Sequence, residues 1–189
     1  MSDRGARPPR GDEQELTGVI GLPRDTVRVV PYHDAWPALF ERKAAVLREH
    51  IGNLVVDIQH VGSTSVPGLD AKPIIDIGIG IALESLASIP PCRRPLLDLG
   101  YIDRGDGGSN GGYLFVREIA PAVRAFHLHL VTTDDPQWKN YLRFRDGLRA
   151  DAALRERYGA LKRELQATFA HDRRGYTRAK SDFIRGVLA

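Results

Sequence analysis

The fold is decided by residues 60–81, which read HVGSTSVPGLDAKPIIDIGIGI. A Gly-Ser-Thr turn near the start leads into a run of β-branched residues, which predicts a strand over 74–81. Because side chains alternate between the two faces of a strand, one face carries Ile75, Ile77, Ile79 and Ile81. Asp76 lies on the other face and is followed there by Gly78 and Gly80. The pattern predicts an acid with open space in front of it, which suits a ligand resting on a sheet.

The composition is that of one globular domain, with 42% hydrophobic and 27% charged residues in a chain of 189. The net charge of +3 is too balanced to favour a nucleic-acid partner. The single cysteine, Cys92, excludes an intramolecular disulfide and a Cys-rich zinc site. Since no apolar run reaches the roughly 18 residues of a membrane span, and the first residues lack an apolar signal core, we expect a cytoplasmic protein without membrane contact.

The first residues differ in composition from the rest of the chain. Residues 1–24 hold glycine, proline and mixed charges but no aromatic residue, so they bury too little apolar surface to offset their ordering entropy. We predict a flexible tail over 1–24, in which Val19 and Ile20 can dock locally. A single domain is predicted over 25–189.

The predicted elements alternate between strands and helices. Strands are predicted over 27–30, 54–58, 74–81, 113–119 and 125–132, with a mobile loop over 101–112. Helices are predicted over about 36–51, 84–89, 93–99 and most of the chain after 134. Asp34 and Asp151 are the predicted N-terminal caps, Asp134-Asp135-Pro136 is a start signal, and Gly52 is a stop. The fold class is therefore α/β (α+β): a mixed sheet of about five strands packs against helices, followed by a C-terminal helical part.

Several blocks of the chain resemble the GrpB family, and together they span residue 27 to the end. The blocks are VPY at 30–32, WP at 36–37, HVGSTSVPGL at 60–69, AKPIIDI at 71–77, HLHL at 127–130, FRD at 144–146 with LR at 148–149, Tyr158 with Lys162, and Tyr176 with Lys180. A long block this regular is more specific than a lone glycine motif.

The resemblance implies a nucleotidyltransferase-like fold, because the family is similar to the polymerase-β-like nucleotidyltransferase superfamily. That superfamily has a Gly-Ser pair, here Gly62 and Ser63, and then a strand with two carboxylates one residue apart. Asp76 matches the first carboxylate, but Gly78 stands where the second is expected. Some family members are fused to dephospho-CoA kinase. The implied activity is transfer of a nucleotidyl or related phosphate-linked group from a nucleoside triphosphate to a small-molecule acceptor.

Such a transfer needs divalent metal ions, and the sequence offers an unusual ligand set for them. Two ions roughly 3.5–4 Å apart, bridged by carboxylates, are typical, and Gly78 leaves that arrangement incomplete. His127 and His129 share one face of their predicted strand and are candidates to complete the site with Asp76, with Asp76 and His129 as catalytic residues. One Asp with two His suits Mn, Zn or Fe better than Mg. In the alternative interpretation the histidine pair binds nothing.

Other polar residues are predicted to hold the phosphates. Gly62, Ser63 and Thr64 form a turn whose N–H groups and hydroxyls can cradle phosphate oxygens, although the turn lacks the ending of a P-loop. Lys72 can lie over the same cleft. The other interpretations are a plain connecting turn and a solvated lysine. His60 is either a further ligand or a hydrogen-bonding partner.

The helical part adds four candidate nucleotide-binding residues. Arg145 and Arg149 lie one helical turn apart. They can clamp a phosphate between them, or they can form a local ion pair with Asp146. Lys162 and Lys180 each follow a tyrosine by four residues, which allows stacking of tyrosine on a base with lysine on its phosphates. The alternative places Tyr158 in the core and Lys162 in solvent.

Three functions remain open at this point, because one fold can support many reactions. The first is the nucleotidyl transfer described above. The second is a degenerate fold that binds a nucleotide or another anionic ligand without turnover, which Gly78 favours. The third is metal-assisted chemistry unrelated to nucleotides.

Overall fold

A six-stranded mixed sheet forms the centre of the structure. The computed structural model describes residues 18–82, 89–106 and 112–189. The strands are β1 (Leu22–Pro23), β2 (Asp57–Val61), β3 (Ile75–Ile81), β4 (Ile102–Asp106), β5 (Tyr113–Ala120) and β6 (Val123–Thr132). The helices are α1 (Trp36–Ile51), α2 (Ile89–Asp98), α3 (Pro136–Ala150), α4 (Ala152–Thr168), α5 (Arg173–Ala179) and α6 (Ser181–Leu188).

The strand order is β2-β3-β6-β5-β4, and the two-residue β1 also pairs with β6. β3 and β6 are parallel, whereas the other pairs are antiparallel. The parallel register sets Asp76 opposite His127 and Gly78 opposite His129. The mixed sheet of about five main strands and the helical C-terminal part are thus confirmed.

The two faces of the sheet bury different clusters. One face carries the isoleucines of β3 and the apolar residues of β6, which pack with α1 and α2 in the main core. Residues such as Ile75, Ile77 and Leu128 are fully buried there. A second cluster, formed by Val66, Leu69, Leu148, Tyr158 and their neighbours, joins α3, α4 and α6 to the segment after β2. The polar face of β3 and β6 therefore lies among the C-terminal helices.

Local signals fixed the C-terminal helices but not the start of α1. Asp151 accepts a hydrogen bond from Leu154 N–H at 2.9 Å, so this predicted cap is confirmed. The helix start predicted at 134–136 is confirmed as well, and Asp135 caps it by accepting from Gln137 N–H at 2.7 Å. The prediction for Asp34 is wrong. Ala35 is the N-terminal cap of α1, and its N–H donates to His33 Nδ1 instead.

The N-terminal predictions also need correction. Residues 1–17 lie outside the described part of the chain, but over 18–24 the predicted tail is wrong, because Ile20 and Leu22 are buried and β1 pairs with β6. Residues 27–30 are not a strand: Val30 forms one isolated bridge to Ala71. The strand predicted over 54–58 lies at Asp57–Val61, since α1 continues into a 3₁₀ turn at Gly52–Leu54.

The glycine-rich segment 101–112 was predicted as a mobile loop, but β4 occupies Ile102–Asp106 and pairs with β5. Residues 107–111 of that loop, and residues 84–88 of a predicted helical turn, lie outside the described residues. In the three described ranges, no helix is long and apolar enough to cross a membrane.

Candidate functional site

The parallel pair β3–β6 brings one acid and two histidines together on its polar face. Asp76 Oδ1 lies 3.1 Å from His127 Nδ1 and 3.3 Å from His129 Nε2. One ligand atom from each residue falls within 4.8 Å of the others. The three side chains are partly buried at the bottom of a cleft. The residues that the sequence analysis chose as metal ligands thus converge on one point.

The surroundings keep Asp76 and His127 in the protonation states that metal binding requires. Burial alone would raise the pKa of Asp76, but hydrogen bonds from His127 and His129 lower it well below its usual value. Burial also lowers the pKa of His127 to about 4. At neutral pH the carboxylate is therefore charged and the His127 ring is neutral, and these are the forms that coordinate a cation.

The geometry of the cluster fits a single cation. Ligands held ~2.0–2.2 Å from one ion lie ~3.0–3.5 Å from each other, which matches the two measured separations. In the described part of the chain, His127 Nε2 is buried without a hydrogen-bond partner, so the ring is oriented through Nδ1. Two nitrogens and one oxygen suit Mn²⁺, Fe²⁺ or Zn²⁺ better than Mg²⁺. Hydrogen bonds from both rings to Asp76 give the same distances without a metal.

The glycine turn after β2 lies directly against the Asp76 carboxylate. Gly62 has φ of +68°, and a Cβ on it would lie 2.5 Å from Asp76 Oδ2. A side chain at position 62 would be both strained and in collision with the acid. Gly62, Ser63 and Thr64 all line the cleft, where the sequence analysis expected them.

His60 supports this turn from behind. Its Nε2 lies 3.1 Å from Thr64 Oγ1, and Thr64 Oγ1 donates to Ile74 O at 3.3 Å. The ring stacks on Phe40 at 4.7 Å, and burial lowers its pKa to about 4. Since the Asp-His-His cluster does not include it, His60 is a hydrogen-bonding partner of Thr64.

The space expected in front of Asp76 is filled by protein. A Cβ on Gly78 would lie 3.2 Å from Cζ3 of Trp138, and one on Gly80 would lie 3.2 Å from Cη2 of the same indole. The two glycines therefore make room for the buried Trp138 of α3 rather than for a ligand. The prediction of an open strand face beyond Asp76 is wrong, and the cleft opens toward α5 instead.

The cleft has a volume of about 1050 Å³ and a strongly basic wall. Its basic residues are Lys72, Arg124, Lys162, Arg173, Arg174, Arg178 and Lys180. Its acidic residues are Asp76 and Asp172, and Asp172 accepts a hydrogen bond from Gly175 N–H as the cap of α5. Such an excess of positive charge in a concave site favours an anionic ligand.

The predicted lysines form one wall of this cleft. Lys72 and Lys180 place their Nζ atoms 5.0 and 4.8 Å from the ring centroid of Tyr176. Lys162 is 1% exposed, donates to the Asp70 carbonyl and lies 4.7 Å from the Tyr158 ring centroid. The alternative of a solvated Lys162 is therefore wrong.

Two consequences follow from the burial of this wall. Burial lowers the pKa of Lys162 to about 6 and that of Lys72 to about 7, and in each case the charge of Lys180 adds to the effect. Both lysines therefore titrate near neutral pH. Tyr158 and Tyr176 are almost fully buried, so stacking of a base on their rings finds no support here.

Arg145 and Arg149 are not brought into the cleft. Arg145 donates to Gln59 Oε1 at 2.8 Å and to His60 O at 3.1 Å. Arg149 donates twice to Ser65 O, at 3.0 and 2.7 Å. Arg145 therefore holds β2 before the glycine turn, and Arg149 holds the residue after it. Both also pair with Asp146, so the alternative of a local ion pair is confirmed.

The sequence analysis missed part of the cleft wall. Tyr141 of α3 was not among the predicted site residues, but its ring lies 5.6 Å from that of His129 and lines the cleft. Arg124, Arg173 and Arg178 were not singled out at all. For Arg124 a simple alternation along β6 gives the opposite face, and no local motif marks the three arginines of α5, which include Arg174.

Comparison with known proteins agrees with the residue blocks. Residues 26–189 match the family profile described as "GrpB protein". The glutamate-rich protein GrpB of Alkalihalophilus pseudofirmus is 30% identical over 173 residues, covering 90% of this chain and 98% of that protein. A protein of Streptomyces coelicolor is 36% identical over 170 residues, covering 89% and 87% of the two chains.

The structural comparison gives the same answer. The crystal structure of GrpB from Enterococcus faecalis superposes with a TM-score of 0.75 at 30% identity, covering 85% of this chain and 94% of that one. A dephospho-CoA kinase of Mycolicibacterium paratuberculosis is 30% identical over 187 residues, and the match spans 87% of this chain but only 46% of the kinase. The family match and the shared fold together show that this chain belongs to the GrpB family.

Proposed function

We propose that the chain is a metal-assisted transferase of the nucleotidyltransferase type. It binds a nucleoside triphosphate in the basic cleft and moves a nucleotidyl or related phosphate-linked group to a small-molecule acceptor. The observation that carries the proposal is the Asp76-His127-His129 cluster at the bottom of a cleft lined by seven basic residues. A cation beside an anion-binding wall is what phosphate chemistry requires.

In this proposal, different residues of the cleft bind the metal ion and the phosphates. Asp76, His127 and His129 would hold one divalent ion, which when bound neutralises charge on a phosphate oxygen. The N–H groups of the turn at 62–64 and the ammonium group of Lys72 face the same space and orient the phosphates. Asp76 and His129 are the catalytic candidates, because both face the reacting group.

The basic wall suits a ligand with several phosphates. Lys180 adds a charge next to Lys72 on the Tyr176 ring, and Lys162 lies behind them. An approaching polyphosphate would favour the protonated forms of Lys72 and Lys162, whose pKa values are lowered in its absence. The relatives named dephospho-CoA kinase in two mycobacterial species support a phosphate-bearing ligand, although this chain spans less than half of each.

A second candidate is a protein that binds the same ligand without turnover. Trp138 occupies the space next to Gly78, so the two-carboxylate arrangement of a two-metal transferase has no room here. If transfer needs two ions, the cleft would bind the ligand without turning it over. The two candidates differ only in turnover, which makes them separable by experiment.

Calorimetric titration of nucleoside triphosphates, with and without Mn²⁺ or Mg²⁺, tests the proposal together with an assay of pyrophosphate release. We expect Mn²⁺-dependent binding that is lost in Asp76→Asn and His129→Gln and kept in the control Asp34→Asn, whose carboxylate is exposed. Release that persists in Asp76→Asn would overturn the transferase. Tight binding without release in a broad acceptor screen would support the second candidate. Metal binding without any nucleotide binding would overturn both.

A further inference from the structure

An irregularity in β6 turns Arg124 toward the cleft. Arg117 pairs with Phe126, and the next residue of β5, Glu118, pairs with Arg124, so Ala125 is an extra residue in β6. Ala125 and Phe126 are consecutive, yet both are buried in the main core. The β-bulge thereby moves Arg124 to the face that carries His127, and Arg124 lines the cleft.

The Arg124 side chain is only partly buried, but its Nε atom is enclosed by protein. Its Nε is buried, and within the described ranges it has no hydrogen-bond partner. The nearest acid, Glu118, is already engaged: one oxygen accepts from Arg24 at 3.2 Å, and the other accepts from Ala122 N–H at 3.1 Å. A buried N–H donor without an acceptor is costly, so the Arg124 Nε favours an acceptor that a bound ligand supplies.

Arg173, at the start of α5, is a second guanidinium at the same place. It is half-buried, lines the cleft and donates to Arg24 O at 3.2 Å. Burial lowers the pKa of Arg124, and the charge of Arg173 is the next cause. Asp76 and Asp25 contribute negative charge near Arg173. No ion pair of either arginine is found in the described residues.

We propose that Arg124 and Arg173 form an oxyanion subsite on the wall of the cleft, beside the metal cluster and the lysine wall. Guanidinium groups donate in a planar fork that matches the oxygens of a phosphate or carboxylate. The subsite takes such a group from the acceptor substrate. Only its assignment to the acceptor rests on the proposed function, since the arginine pair stands on its own geometry.

Calorimetric titration of inorganic phosphate, and separately of succinate, into metal-free protein tests this subsite. We expect Arg124→Gln to weaken binding at least about tenfold and Arg124→Lys to weaken it less, because lysine keeps the charge but not the fork. Arg157→Gln, which removes an exposed arginine of α4, is the matched control and should not change the affinity. The thermal midpoint of ligand-free Arg124→Gln should not fall, since the change removes a donor without an acceptor and a charge that other arginines repel.

The outcomes separate this inference from the proposed function. Binding of phosphate alone identifies a phosphate-bearing acceptor, and binding of succinate alone identifies a carboxylate. Equal affinity in Arg124→Gln and the native chain, or binding lost in Lys180→Gln instead, would overturn the subsite. If neither anion binds while nucleoside triphosphate with Mn²⁺ does, the subsite falls and the proposed function stands. If phosphate binds in an Arg124-dependent manner and no nucleotide binds, the subsite stands and the proposed function falls.

Discussion

Gly78 and Trp138 are in contact, and the contact leaves no room for a second carboxylate beside Asp76. The Cβ that another residue would carry at position 78 lies 3.2 Å from Cζ3 of the indole and 3.2 Å from Cγ1 of Val61. The second acid of the transferase pattern is therefore absent from the sequence, and the space for its side chain is occupied by Trp138 of α3. If the cluster at Asp76 holds metal, we therefore expect it to hold one ion.

Restoring the acid should damage the fold without creating a second metal site. We expect Gly78→Asp to lower the free energy of unfolding by about 2–4 kcal/mol, since it overpacks the core and buries a charge. Urea denaturation measures the loss, and Gly186→Asp is the control, because nothing lies within 4 Å of a Cβ there. A second bound Mn²⁺ ion in Gly78→Asp would contradict the one-ion interpretation.

Because Gly62 closely approaches Asp76, an alanine there should destabilise the fold, whereas an alanine at an uncrowded glycine should stabilise it. Gly62→Ala places a Cβ at φ of +68° and 2.5 Å from Asp76 Oδ2, so we expect a loss of about 2–4 kcal/mol in unfolding free energy and loss of Mn²⁺ binding. Gly147→Ala, inside α3 with open space around it, should gain about 0.5–1 kcal/mol. Unchanged Mn²⁺ affinity in Gly62→Ala would show that the turn and the acid are not coupled.

Arg149 lies outside the cleft, and its hydrogen bonds to Ser65 O should contribute measurably to the free energy of unfolding. We expect Arg149→Ala to cost about 1–2 kcal/mol in unfolding free energy, because it removes two N–H donors to Ser65 O from a partly exposed side chain. Arg149→Lys should recover only part of this loss, since lysine lacks the fork. Arg157→Ala serves as the exposed control. Nucleotide affinity lost without any loss of stability would instead indicate direct contact with the ligand.

The lysine wall predicts a dependence of stability on pH. The pKa of Lys162 is about 6 in the folded chain and near 10.5 without burial, so between these values the unfolded state binds the extra proton. Stability should therefore rise with pH above about 6, and Lys162→Met should reduce the slope by up to about 1.4 kcal/mol per pH unit. Asp70, Arg163, Lys72 and Lys180 face this lysine, and the rise from Lys72 should remain in the variant.

Chemical denaturation at pH 6.5, 7.5 and 8.5 checks this slope. Lys139→Met, which removes an exposed lysine of α3, should leave the slope unchanged. If Lys162→Met and the native chain show parallel pH profiles, Lys162 is charged in the folded state.

The same lysines predict proton uptake when an anion enters the cleft. A polyphosphate near Lys72 and Lys162 would raise their pKa values, so binding at pH 7.5 should take up protons from the buffer. Calorimetry in buffers of different ionisation enthalpy measures the number taken up. We expect less uptake in Lys162→Met than in the native chain, and zero uptake in the native chain would contradict this role of the lysines.

The sequence predicted those parts of the fold that depend on neighbouring residues. Asp135 and Asp151 cap their helices because the cap needs only an N–H two or three residues away. The strand with Asp76 and the histidine strand follow from alternation. β4 was missed because its segment is rich in glycine and aspartate, and its strand geometry comes from pairing with β5.

The candidate site was predictable only where a motif marked it. The convergence of Asp76 with His127 and His129 was expected from the resemblance and lies on the floor of the cleft. Arg124 could not be chosen, since a bulge reverses its face, and bulges leave little local signal. The function of Gly78 could not be read either, because Trp138 lies 60 positions further along the chain.

The parallel pairing of β3 with β6 has a consequence for how the site comes into being. Asp76 and His127 are 51 positions apart, and in the described structure only this pairing joins their strands side by side. A partly folded chain with the hairpin β5–β6 formed but β3 undocked would hold both imidazoles and no carboxylate opposite them. High-affinity binding of a cation should therefore appear late in refolding, together with completion of the sheet. The time at which it appears would report when β3 docks.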